Sequence, residues 1–196
     1  MEYRATLIPG DGIGPEVIQA ATRVVEAAGV QIHWERVEAG ADVFIEHGTP
    51  LPDQVLNSIR TTGIALKGPI GTSIGGGFTS ANVLLRQSLD LYACVRPIQT
   101  IPGVPSRYSD VDFVIVRENT EGLYSGLEHR VTAGVVVSLK VVTETASLRI
   151  ARSAFAPAPE HKPPSVAATP NANLMQLAAG PVPERARLLV RVSPAT

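Results

Sequence analysis

Three consecutive glycines, Gly75-Gly76-Gly77, constrain this chain more than any other feature. Each costs backbone entropy inside a helix or strand, so the run reads as a loop that takes left-handed dihedrals or comes close to a ligand. Thr79-Ser80-Ala81-Asn82 follows, a helix-starting pattern whose hydroxyls can satisfy orphan N–H groups. A helix from about Ser80 puts Asn82 in its first turn and Arg86 one turn along. Ser80, Asn82 and Arg86 are then placed to converge on an anion at a helix N-terminus, where donors and dipole favour negative charge. Arg96 ends the apolar strand LYACV, and Pro97 is expected to stop that strand. Taken singly, these are a glycine loop, a capped helix and two surface arginines; taken together they read as an anion site.

The chain before this stretch alternates strand and helix. Ala5 to Pro9 reads as a short buried strand, followed by the turn Gly10-Asp11-Gly12-Ile13-Gly14. Pro15 and Glu16 suit the first turn of a helix. Val17, Ala21, Val24, Val25 and Ala28 form its apolar face, and Gly29 closes it. Gln31 to Val37 is a second strand, Ala39 to Glu46 and Asp53 to Arg60 are helices, and Gly63 to Leu66 is a third strand delivering Lys67. The alternation predicts an α/β fold with a mostly parallel sheet flanked by helices. Ligands belong outside the strand carboxyl ends, where Gly10–Gly14 and Lys67–Gly77 both fall. The third glycine of the first turn comes too early for a G-x-G-x-x-G fingerprint.

Gln99 to Asp110 reads as a Pro/Gly-rich connector into a second lobe. Val111 to Val116 is a strand running into RENTEGLYSG, residues 117–126. Without context, Arg117 is a salt-bridged arginine, Tyr124 a half-buried tyrosine, and His129 decorates a loop. Val135 to Val142 is a strand, and Thr143 caps a helix through Phe155 with Ala146, Ile150, Ala151 and Ala154 on one face. Eight of the sixteen prolines lie from Pro157 onward, so that tail reads as loop or disorder with one short helix.

Composition narrows the function. A length of 196 residues suits one domain or one and a half, and a net charge of −1 argues against a general nucleic-acid surface. Cys94 is the only cysteine, so an internal disulfide and a cysteine-based metal site are excluded; it reads as a buried small hydrophobe. No apolar run approaches the ~20 residues of a membrane span. The N-terminus enters a strand at once, without signal-peptide character, and a soluble cytoplasmic protein is expected.

Ser80-x-Asn82-x-x-x-Arg86 with Arg96, IPGDGIGPEV at residues 8–17 and RENTEGLYSG together resemble the β-decarboxylating dehydrogenases over about residues 4 to 156. The likeness is closer to the isocitrate than to the isopropylmalate version, and closer to the NAD-linked enzymes. It implies an isopropylmalate-dehydrogenase-like fold. Residues 1–98 would begin the large domain, 99–156 the small substrate and dimerisation domain, and 157–196 would be a degenerate tail, the chain stopping before it returns to the first lobe. The implied reaction is NAD(P)-dependent oxidation of a 2-hydroxy acid such as isocitrate, with metal-assisted loss of the β-carboxylate.

The resemblance also implies roles. Ser80, Asn82, Arg86, Arg96 and Arg117 bind the substrate and Tyr124 is the acid–base residue. Ile13, Lys67, Thr72 and Asn82 meet NAD, with NADP also possible. Mg2+ or Mn2+ is implied, but no ligand for it is assigned here. In VAATPNANLMQLAAG, Pro170 and Asn171 stand where the family carries a histidine and its catalytic lysine. Two alternatives to an active enzyme follow: a non-catalytic regulatory subunit or pseudo-enzyme binding a tricarboxylate, or an inactive fragment of a true enzyme. Alternative substrates are homoisocitrate, 3-isopropylmalate and tartrate, and the family forms homodimers or hetero-oligomers.

Overall fold

The structure, a computed structural model, describes residues 2–71 and 79–155. Thr72, the glycine run, and Pro170 and Asn171 with the rest of the tail lie outside the described residues. The chain divides into two compact units, one ending at Leu89 and one beginning at Asp90.

The first unit is built on a central strand, β1 (Glu2–Ile8), with β2 (Gln31–Arg36) and β3 (Ala65–Lys67) parallel on either side. Leu7 pairs with Arg36 and Ile8 with Lys67. Helix α1 (Gly14–Ala27) joins β1 to β2; α2 (Ala41–His47) and α3 (Asp53–Thr62) lead to β3, and α4 (Ala81–Ser88) closes the unit. Ile8, Val37, Leu51, Val55, Leu56 and Leu85 form its core. Polar groups inside are paired: the buried Thr6 hydroxyl meets those of Ser58 and Thr62, each at 2.8 Å. The face of α1 differs from the sequence reading. Ile18 is buried, whereas Val17 and Val24 are exposed. Apolar residues occupy more of α1 than one stripe, and the face turned inward is the one whose Ile18 lies against Gly68 just beyond β3.

The second unit starts with the antiparallel pair β4 (Ala93–Gln99) and β5 (Asp112–Glu118). Pro97 does not stop the strand: it pairs with Val114, and β4 continues two residues beyond it. Among the described residues β4 has one partner strand, and an edge position tolerates a missing N–H. The segment after Gln99 joins these two paired strands, and the division into compact units falls earlier, between Leu89 and Asp90. Strands β6 (Glu128–Thr132) and β7 (Val135–Ser138) form a hairpin that places His129 opposite Val137. The strand expected to reach Val142 ends earlier, and Val141 makes only an isolated bridge to Gly122. Helix α5 (Glu144–Phe155) lies against β5 and buries Ala146, Ser147, Ile150 and Ala151. The Thr143 hydroxyl accepts from the Ala146 N–H at 3.1 Å, the cap read from sequence.

Candidate functional site

In the first unit, adjacent parallel strands β1 and β3 send their carboxyl-end loops to the same edge of the sheet. The approach is close. Gly10 has φ +79, and a Cβ there would sit 2.0 Å from the Pro69 carbonyl oxygen. Asp11 then ties three segments together. Its N–H donates to Pro69 at 3.2 Å, and its carboxylate accepts from Gly71 N–H at 2.5 Å and Ala41 N–H at 2.9 Å. The sequence reading assigned Asp11 no role; a carboxylate between two glycines in a loop was the available signal. Ile13, in the same loop, is 67% exposed.

Lys67, at the end of β3, is half-buried and donates to the Gly68 carbonyl at 2.5 Å. Burial pulls its pKa below the ordinary lysine value; the Arg86 cation acts the same way and Asp11 opposes both. A second cation already disfavours charge on Lys67, so an anion arriving here relieves repulsion. Asn82 and Arg86, four residues apart on α4, share one face and are both half-buried. Ser80 is the N-cap of α4, but its hydroxyl does not cap the helix. The turn is closed by its carbonyl, which accepts from Val83 and Leu84 N–H at 2.9 and 3.0 Å.

In the second unit, Cys94 lies directly opposite Arg117. Strand alternation then puts Cys94, Arg96 and Arg117 on one face. The Arg96 Nε donates to the half-buried Cys94 Sγ at 3.3 Å. Arg117 donates to the Tyr124 hydroxyl, and its guanidinium lies 5.1 Å from that ring's centre. A short 3-10 turn at Leu123–Ser125 presents the tyrosine. Two guanidinium forks beside a phenol can hold a carboxylate and exchange a proton next to it.

Sequence-assigned residues thus gather by unit: Lys67 and Arg86 with Asp11 in the first, and Arg96, Arg117 and Tyr124 in the second. NAD suits the first group, where exposed Ile13, Lys67 and Asn82 offer an apolar surface and polar donors. Among the described residues no group of three His, Cys, Asp or Glu side chains could hold a metal ion.

The match to the family model "Isocitrate/isopropylmalate dehydrogenase" spans residues 4–183. A mitochondrial NAD isocitrate dehydrogenase catalytic subunit of Arabidopsis thaliana is 49% identical, covering 88% of this chain and 46% of its own length. The chloroplastic 3-isopropylmalate dehydrogenase of Solanum tuberosum is 48% identical, over 88% and 48%. Regulatory subunits of the Arabidopsis enzyme match as well. The crystal structure of isocitrate dehydrogenase from Methylococcus capsulatus superposes with a TM-score of 0.92 at 44% identity, covering 98% of this chain and 58% of that one. The chain spans about half the length of the curated relatives it matches. The expected cytoplasmic location is overturned by the mitochondrial isocitrate dehydrogenase relatives. Compartment is written in addressing segments and not in the chemistry of a folded domain. The matched segment takes in both units and all of the arginines and the tyrosine described above, and the chain belongs to the isocitrate/isopropylmalate dehydrogenase family.

Proposed function

We propose that this chain carries the carboxylate-gripping face of an NAD-linked 2-hydroxy acid dehydrogenase, with isocitrate as the acid. The observation that supports this reading is Arg117 hydrogen-bonded to Tyr124, with Arg96 on the same strand face. A tricarboxylate needs several cations, and Arg96 and Arg117 each offer a planar fork. Tyr124, held at Arg117, stands where a catalytic member of the family protonates the enol carbon left when the β-carboxylate departs as CO2. Ser80, Asn82 and Arg86, which the resemblance also assigns to the substrate, lie on α4 and at its start in the first unit. In a catalytic subunit NAD would accept the hydride from the alcohol carbon.

Binding and turnover separate in this chain. Asn171 stands at the position of the family's catalytic lysine, and an amide can neither take the hydroxyl proton nor carry charge. The chain therefore binds the acid without oxidising it, in the manner of a regulatory subunit assembled with a catalytic one. The matches to subunits of both kinds are compatible with that assembly.

Titration calorimetry of the purified chain with isocitrate is the test. Binding at millimolar concentration or below is expected, with loss in Arg117→Met and weakening in Arg96→Met; 3-isopropylmalate in the same cell decides between the two acids. No heat with either acid would overturn the reading. No reduced cofactor should form with isocitrate, manganese and NAD or NADP, and enzyme-dependent turnover would refute the non-catalytic half.

A further inference from the structure

The turn between Arg117 and Tyr124 is held from two sides. Glu118 folds it from within, its carboxylate accepting from Thr120 N–H at 3.0 Å, the Thr120 hydroxyl at 2.5 Å and Glu121 N–H at 2.8 Å. Glu121 ties it to the start of α5, accepting from the Thr143 N–H and hydroxyl at 2.8 and 2.6 Å. Arg149, further along α5, closes the frame. One terminal nitrogen donates to the Thr120 hydroxyl at 2.7 Å and lies 3.8 Å from Glu118 Oε1. The other donates to both Asp90 oxygens at 2.9 Å.

The Arg149 guanidinium also stacks 4.4 Å from the centre of the Tyr92 ring, and Tyr92 is itself fixed by a 3.0 Å contact to Ser153 on α5. Its Nε is buried without an acceptor among the described residues, a cost that the stack and the two carboxylates offset. A planar fork with a partner on each arm and a ring on its face has one orientation, which a lysine cannot reproduce. The Thr120 hydroxyl passes that constraint on, accepting from Arg149 and donating to Glu118.

We propose that Arg149 is a positioning residue for the Arg117–Tyr124 pair, acting through Thr120 and Glu118; its consequence for substrate rests on the carboxylate-binding reading above. Without Arg149, Glu118 keeps its local bonds and Glu121 its tie to Thr143, but the turn loses its second anchor, along the body of α5, and the guanidinium and phenol lose their mutual geometry.

The test uses the intact chain with nitrogen-labelled arginine. The Tyr124 ring displaces the resonance of the Arg117 Nε–H, assigned through Arg117→Lys and Tyr124→Phe. In Arg149→Met, measured well below its melting temperature, the displacement should fall by more than half. Isocitrate affinity should drop on the order of tenfold to a hundredfold. Thr120→Val, which removes the hydroxyl link and leaves the buried cation, should move the same resonance in the same direction. It decides the question if Arg149→Met does not fold. An unmoved Arg117 resonance in folded variants overturns the proposal. Failure of the unmodified chain to bind isocitrate sinks the functional reading instead, and the resonance still decides the positioning role.

Discussion

The two units use apolar strands of similar character and bury them very differently. In the first, Ile8 and Val55 are 0% and 1% exposed, because α3 and α4 cover the central strand of a three-stranded sheet. In the second, Val114 and Val136 are 50% and 57% exposed, since each lies in a two-stranded ribbon. Apolar content does not by itself make a core; a second layer must lie on it. The second unit keeps its shape around Arg117 and Tyr124 with carboxylates, hydroxyls and a stacked guanidinium. The first holds its loop edge by backbone contact and one half-buried carboxylate, Asp11. One candidate binding group is thus set by packing and the other by a polar frame.

The largest test of that contrast compares two truncations. Ile8→Ala should cost about 2–5 kcal/mol and Val136→Ala no more than about 0.5 kcal/mol, read from urea unfolding. Similar losses would break the comparison. Next comes the loop edge. Gly12 has φ +57 with open space around it, so Gly12→Ala should cost only the ~1–2 kcal/mol of left-handed strain. Gly10→Ala must also displace the Pro69 carbonyl and should cost clearly more by the same measurement; equal costs would mean the loops do not touch. In the polar frame, Thr143→Val removes the α5 cap and should cost about 1 kcal/mol, seen as earlier amide exchange in the first turn of that helix.

The smallest effect is a pH dependence. Lys67 is held below the ordinary lysine value by burial first and by Arg86 second. Between the lowered and the ordinary value the unfolded chain binds more protons than the folded one. Stability attributable to Lys67 therefore rises with pH through that window and levels off above it. Lys67→Met should flatten the rise, and an unchanged slope would show that Lys67 is not buried charged.

Much of the local structure was legible in the residues. The strand–helix alternation, the αL closure at Gly29, the Thr143 cap and the start of α4 near Ser80 all follow from short-range propensity and capping. The candidate site was legible as residue types in a pattern, through Ser80, Asn82, Arg86, Arg96, Arg117 and Tyr124. Its supports were not. Asp11 meets residues 30 and 60 positions away, and Arg149 meets Asp90 59 positions away, separations that no sequence window spans.

By itself, then, the sequence determined the α/β class, the helices, the loops that leave the carboxyl ends of β1 and β3 and the residue types available to them, because those depend on periodicity and on residues within a turn of one another. Tertiary structure decided that β4 runs through Pro97 to put Arg96 beside Cys94 and Arg117, since an edge strand forgives a proline that a central one would not. It also decided which face of α1 turns inward and that a guanidinium on α5 frames the turn before Tyr124. Those outcomes depend on strand register and on which surfaces meet, and both are settled only when distant parts of the chain pack together.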